Sequence, residues 1–203
     1  MESTEITETI AGEEAEEARG SDRFRKRTAI YLGIVAMLLA IASLGGANAT
    51  KTMLNANIEA SDTYAFYQAK YQRQTAYRLV ADQLAAQLTA QPDLAAPARA
   101  GIEREIARFR AQADNLESEP KTGTGKKELL IRAKAAEARR DRAMRQDPNF
   151  DFAEALFQIA IVLGAVSIVA EAPWLVKLSA AVSVLAMLLT VNGFLLLVEL
   201  PLG

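Results

Sequence analysis

The chain has 203 residues, a formal net charge of −2, and neither cysteine nor histidine. Without cysteine it can form no disulfide, thiolate centre or haem attachment, and zinc sites built from cysteine and histidine are excluded. Without histidine it lacks the usual general base at neutral pH, and its charge gives no overall attraction to nucleic acid. We therefore predict no enzyme activity, no cofactor, no catalytic or metal site, no small-molecule substrate and no nucleic-acid partner.

Residues 1–27 form an acidic-then-basic tail. Glutamates dominate the first part, and basic residues follow at Arg19, Arg23, Arg25, Lys26 and Arg27. A cleavable signal peptide would begin with basic residues and continue into a short apolar core, which is not the order here. Because few of its residues are apolar, we predict that the tail is disordered and that the first apolar run is a retained anchor.

Three long apolar runs, residues 28–47, 150–170 and 174–198, dominate the hydropathy pattern. Each has about the 20 residues that a helix needs to cross the hydrocarbon core of a bilayer. The second and third runs are separated by a few residues around Pro173, so they should form adjacent antiparallel spans. The predicted fold is all-α: a three-span helical membrane protein with an extramembrane helical stalk, residues 48–149, between spans 1 and 2.

The stalk should contain up to three helices. The first span should continue outward as one helix, because no proline occurs between Asn48 and Pro92. A second helix should follow, and after a loop at 118–125 a third helix, about 126–146, should end at Pro148. Apolar residues predict the packing faces: Phe66, Ala69, Ala76, Val80, Leu84 and Leu88 on the first helix, and Ile102, Ile106, Phe109, Ala113 and Leu116 on the second.

These stripes have coiled-coil spacing but extend over too few heptads for a long coiled coil. The basic residues predict the orientation. The cluster at 19–27 directly precedes the first span and places the N-terminus in the cytoplasm, so the stalk and C-terminus would lie outside. The arginines at 139–145 oppose this assignment, but they lie in a loop too long to obey the positive-inside rule strongly.

Two groups of residues are candidate sites. One is an intramembrane polar cluster of Asn48, Glu154, Gln158 and Asn192, in which we expect a Gln158–Asn192 contact and Glu154 near Asn48. Such groups should meet one another, because an unpaired polar side chain in hydrocarbon is costly. The other group could bind anionic lipid headgroups or simply be a solvated face: Lys126, Lys127, Arg139, Arg140, Arg142 and Arg145.

Three stretches, 45–49 with Asn55, 64–70 and 150–161, together resemble a bacterial membrane family known as domain of unknown function 4337. That family is similar in outline, with an acidic tail, one span, a long helical region and a two-span hairpin with Asn-Gly near its end, here Asn192-Gly193. Tyr64 stands where the family pattern has tryptophan, and the hairpin turn lacks the basic cluster of that pattern. The resemblance implies a bacterial cytoplasmic (inner) membrane protein, and no activity is assigned to the family.

The leading functional hypothesis is a non-enzymatic integral membrane scaffold or accessory subunit that acts through helix–helix contacts. Its partners would be the lipid bilayer and either further copies of itself or a larger membrane complex. Two alternatives stay open. One is a small transporter or channel component that uses Glu154 and Gln158, and the other is an anionic-lipid-binding protein that uses the basic helix 126–146.

Overall fold

The structure is a computed structural model that describes the backbone of residues 2–198 and the side chains of residues 19–198. Four helices follow one another: α1 (Glu2–Ala90), α2 (Ala96–Glu117), α3 (Lys126–Ala170) and α4 (Pro173–Leu195). No strand occurs within this part of the chain. The all-α prediction is therefore confirmed. Three of the helices contain a stretch long and apolar enough to cross a membrane: Arg19–Ala90, Lys126–Ala170 and Pro173–Leu195.

Helix α1 continues through the end of the first apolar run without a break, as predicted. Ala, Gln, Leu and Arg have high helix propensity, and no proline interrupts the segment before Pro92. The helix also extends further toward the N-terminus than predicted, because it begins at Glu2 and residues 2–27 are helical rather than a disordered tail. Met1 lies outside the described residues, and the side chains of residues 2–18 are not described.

Helix α3 corrects a second prediction. We expected the helix to end at Pro148, but α3 runs through this residue to Ala170. A proline inside a helix removes one backbone donor and clashes with the preceding turn, at a cost of about 3 kcal/mol. Packing on both sides opposes this cost, since Ala143, Asn149 and Phe150 are buried. The Asn149 side chain also donates a hydrogen bond from Nδ2 to the carbonyl oxygen of Arg145, at 3.0 Å.

The chain divides into two compact units. We call Met1–Lys51 with Arg142–Gly203 the terminal unit and Thr52–Asp141 the central unit. In the terminal unit, segments of α1, α3 and α4 pack around a core of mostly small side chains with one large ring. Its fully buried members are Val35, Ala42, Ala153, Phe157, Ala160 and Ala186. Alanine at these positions lets helix backbones approach closely.

The central unit contains α2 and segments of α1 and α3, so the prediction of up to three helical segments holds. The face that α1 buries here differs from the predicted one. Four residues of the predicted face are exposed and two, Leu84 and Leu88, are half-buried; the exposed ones are Phe66, Ala69, Ala76 and Val80. The residues that α1 buries here are Ala56, Ala60, Thr63, Gln74 and Ala81. The prediction was anchored on Phe66 and Val80, and the alanines that share their face are exposed with them, whereas the close helix contact is made by other small residues.

Helix α2 contributes Ile106 and Ala113 to the interior of the central unit, in agreement with its predicted face. Phe109 lies beside Tyr77 of α1, with 5.9 Å between the ring centroids. Phe109 is half-buried, so truncating its side chain should cost less than the several kcal/mol of a fully buried ring.

Candidate functional sites in the two units

Phe150 forms the centre of a close-packed cluster in the terminal unit. Its side chain is 2% exposed and its ring lies against glycines of two other helices. A Cβ atom added to Gly45 of α1 would lie 2.5 Å from Phe150 Cε1, and one added to Gly193 of α4 would lie 2.8 Å from the same atom. Phe194 meets the ring edge-on, with centroids 4.9 Å apart. The two glycines therefore provide the space that the ring occupies.

Asn192 adds a hydrogen-bond network beside this ring. Its Nδ2 donates to Asn149 Oδ1 at 2.8 Å and to the Val198 carbonyl at 2.9 Å. Its Oδ1 accepts a hydrogen bond from the Val198 backbone N–H at 2.9 Å. All of these groups are satisfied, as buried polar groups generally are. Asn192 thereby joins α3 to the segment that follows α4, where Leu196 adopts a left-handed conformation with φ 50°.

The predicted polar cluster does not assemble as expected. Glu154 and Gln158 share one face of α3, and Gln158 Nε2 donates to Glu154 Oε1 at 3.4 Å. Gln158 is exposed and makes no hydrogen bond with Asn192, which pairs with Asn149 instead. The predicted Gln158–Asn192 contact is therefore wrong. Asn48 is exposed and makes no hydrogen bond with the other three residues in the described part of the chain.

A second polar network, which the sequence analysis missed, lies between α1 and α4. Tyr31 Oη is 2.9 Å from Ser179 Oγ and 2.8 Å from Ser183 Oγ. Ser179 donates to the carbonyl oxygen of Ala160 at 2.6 Å, so its oxygen must accept from Tyr31, which leaves Ser183 to donate to Tyr31. The sequence feature that could have predicted this network is a tyrosine inside one apolar run together with two serines four residues apart in another, since residues four apart share a helix face.

The polar centre of the central unit joins all three of its helices. Lys126 of α3 is 8% exposed, and its Nζ donates to Gln74 Oε1 at 2.7 Å and Glu117 Oε2 at 3.1 Å. Gln74 Nε2 in turn donates to Glu117 Oε2 at 3.0 Å and to the Ala113 carbonyl at 2.9 Å. Hydrogen bonds from Gln74 and then from Lys126 lower the pKa of the Glu117 carboxyl below its ordinary value.

Aromatic rings complete the surroundings of Lys126. Its Nζ lies 5.0 Å from the centroid of Tyr71 and 5.7 Å from that of Tyr67, distances at which a cation is attracted to the face of a ring. Lys70 also lies near this region and contacts the side chains of Thr124 and Glu119, at 3.2 and 3.5 Å. The stretch 64–70 therefore contributes Tyr67 and Lys70 to the surroundings of this centre.

The predicted lipid-headgroup residues have different environments. Lys126 does not fit this role, because it is buried among the groups just described. Arg139 Nη2 donates to Glu59 Oε2 at 2.7 Å, and Arg139, followed by Arg132, lowers the pKa of the Glu59 carboxyl. Arg140 pairs with Asp141 at 2.9 Å. The three other residues of the group are exposed: Lys127, Arg142 and Arg145.

The turn between α3 and α4 lies beside the basic segment of α1. Glu171 Oε1 accepts hydrogen bonds from Arg25 Nη2 at 2.6 Å and from Ser21 Oγ at 2.9 Å. These two donors, Arg25 first, lower the pKa of the Glu171 carboxyl. The basic segment and the α3–α4 turn therefore lie at the same end of the terminal unit. Within residues 19–198, no group of three or more acidic side chains could hold a metal ion.

Gly45 and Phe150 of the Phe150 cluster, and Tyr67 and Lys70 near Lys126, belong to the stretches 45–49, 150–161 and 64–70. The family model of a domain of unknown function (DUF4337) matches residues 24–196 of the chain. The chain belongs to this family. Comparisons with curated proteins and with solved structures found no match. In this DUF4337 chain, Gly45 and Gly46 of α1 and Gly193 of α4 all lie against the side chain of Phe150 in α3.

Proposed function

We propose that this protein is a non-enzymatic integral membrane scaffold or accessory subunit that acts through helix–helix contacts. One observation carries the proposal. The central unit buries mainly small side chains and leaves large apolar ones exposed, among them Ile58 at 58%, Leu79 at 64% and Ile131 at 70%. Ile58 and Leu79 are 21 residues apart on α1, so they occupy the same position of the heptad repeat, and apolar side chains at one heptad position suit the docking of a further helix.

The spacing of the buried residues supports the kind of contact. In the central unit, Ala56, Ala60 and Thr63 of α1 follow one another by four and three residues, and Gln74 and Ala81 are seven apart. Alternating steps of three and four residues are typical of coiled coils. We propose that the central unit uses coiled-coil packing both within itself and with its partner.

The three apolar helices and the basic segment 19–27 support the finer location that we propose. The protein would cross a bacterial cytoplasmic membrane three times, with the N-terminus in the cytoplasm and the central unit and the C-terminus outside. A transport role finds less support, because Glu154 and Gln158 bond to each other on an exposed face and, within the described part of α3, no further ionisable residue follows Glu154.

The test is a comparison of complexes in mild detergent. The full chain, solubilised from membranes, should migrate as an assembly larger than a monomer, either with further copies or with co-purified proteins identified by mass spectrometry. The double variant Ile58→Glu/Leu79→Glu should lose that assembly, because each substitution places a charge on the apolar surface.

The matched control is Ala100→Glu/Ala111→Glu, which adds the same charge at two exposed positions of α2 and should keep the assembly. If the Ile58/Leu79 variant keeps the same assembly, or if the wild-type chain is a monomer without partners, the proposal fails.

A further inference from the structure

Three arginines before the first apolar run form one ridge on α1. Arg19, Arg23 and Arg27 follow one another by four residues, so they lie on one face of the helix and extend over about 12 Å. All three are exposed. Their neighbours Arg25 and Lys26 pair with carboxylates, at 2.6 and 2.7 Å.

The three arginines of this ridge have no carboxylate partner within residues 19–198. No carboxylate of that part of the chain lies within ion-pair distance of Arg19, Arg23 or Arg27. Like charges four residues apart on a helix repel each other and destabilise it by a few tenths of a kcal/mol per pair. A bound anion would relieve this repulsion.

A second feature marks the same end of the terminal unit. Glu171 binds Arg25 and Ser21, and Trp174 lies three residues further, in the first turn of α4. Trp174 is 64% exposed, and Lys177, one turn further along α4, is also exposed. Tryptophan and lysine at this position are typical of the zone between the hydrocarbon core and the headgroups of a bilayer.

We propose that this end of the terminal unit binds the phosphates of anionic phospholipid headgroups. The ridge of Arg19, Arg23 and Arg27 supplies the positive charge, and Trp174 positions the end at the membrane interface. Guanidinium groups suit this partner because they present forked donors that match phosphate oxygens. The position of the ridge also suits a phospholipid partner, because an uncharged run of residues begins directly after Arg27.

This site is distinct from the basic helix 126–146, which was the earlier candidate for headgroup binding. In that helix Lys126 is buried and Arg139 pairs with Glu59. The proposal is also independent of the scaffold role. A monomeric protein could bind anionic lipid, and a scaffold could lack this preference.

Trp174 is the one tryptophan of the chain and therefore reports directly on this end. The full chain is reconstituted in phosphatidylcholine nanodiscs that contain an equal minor fraction of either brominated phosphatidylglycerol or brominated phosphatidylcholine. Bromine quenches tryptophan fluorescence on contact. We expect the anionic lipid to quench Trp174 about fivefold more effectively, which corresponds to about 1 kcal/mol of preferential association.

The variant Arg19→Gln/Arg23→Gln/Arg27→Gln should reduce this ratio toward one. High salt should do the same in the wild-type chain, which tests the proposal even if the variant folds poorly. The matched control is Lys127→Gln/Lys134→Gln/Arg142→Gln, which removes the same charge from exposed positions elsewhere and should leave the ratio unchanged. Equal quenching by the two lipids, an unchanged ratio in the ridge variant, or an equal loss in the control would overturn the proposal.

Discussion

At the scale of single residues, the terminal unit depends on the absence of side chains at particular positions. Phe150 occupies space that Gly45 and Gly193 leave free on two different helices. The ring cannot easily move away, because it is buried and Phe194 packs against its edge. A methyl group at either glycine would therefore meet an aromatic ring and not the end of a flexible chain.

This arrangement predicts that Gly193→Ala destabilises the protein by about 1–3 kcal/mol, the usual cost of overpacking a close-packed interior. Gly33→Ala is the matched control, because it is the same substitution in an apolar helix and the added atom would meet nothing within 4 Å. Unfolding of both variants in mild detergent, followed by circular dichroism, measures the difference. Equal stabilities for the two variants would contradict this account of the Phe150 cluster.

Glu117 provides a test by pH. Its pKa is lowered in the folded protein, so its contribution to stability is present above the ordinary carboxyl pKa of about 4.3 and is lost as the pH falls through the lowered value. Its side chain is 37% exposed, and solvent screening reduces the contribution. We therefore expect Glu117→Gln to lose about 1 kcal/mol at pH 7.

The measurement is the melting temperature of the full chain in detergent as a function of pH. The wild-type curve should fall below about pH 5, and the curve of Glu117→Gln should start lower and fall less. Glu103→Gln removes an exposed carboxylate from α2 and should follow the wild-type curve. Coinciding curves for Glu117→Gln and the wild type would show that the hydrogen bonds to Glu117 contribute nothing.

At the scale of helices, the ends were easier to predict than the faces. The loop before Lys126 and the turn before Pro173 fall where proline and glycine interrupt helical sequence, because these residues act locally. Pro148 was misjudged for the opposite reason. Its cost is local, but packing of distant residues around Phe150 outweighs it, and one sequence does not reveal those neighbours.

The face of α1 in the central unit was misjudged because alanine gives little contrast. Ala56, Ala60 and Ala81 are buried, whereas Ala69 and Ala76 are exposed. Large residues gave the stronger periodic signal, yet Phe66 and Val80 are on the outside. The Lys126 centre was not predicted because a lysine is rarely buried, and burial requires partners from other helices that one sequence does not reveal.

At the scale of the whole molecule, the order of the helices along the chain determines the expected membrane topology. The central unit lies in the chain between the first two apolar segments, so a protein that crosses the membrane three times would place it on the side opposite to the N-terminus. The basic segment 19–27 favours a cytoplasmic N-terminus.

We therefore expect a Thr122→Cys variant to react with a membrane-impermeant maleimide in intact spheroplasts. The chain contains no cysteine, so the labelling has no background from the protein itself. Ser21→Cys serves as the control and should react only after lysis. The reverse pattern, with Ser21→Cys labelled in intact spheroplasts and Thr122→Cys protected, would invert the proposed orientation.

The Lys126 centre also determines how the helices of the central unit align along their length. Alanines define the register between two helices poorly, because after a shift of seven residues one alanine can take the place of another. Lys126, Gln74 and Glu117 come from three different helices, and their hydrogen bonds can form in one alignment of those helices. A slip of seven residues would bring Ala133 to the position of Lys126 and leave the Glu117 carboxylate without its cation. Three polar side chains thus set the register of an interface whose small residues supply the closeness but not the position.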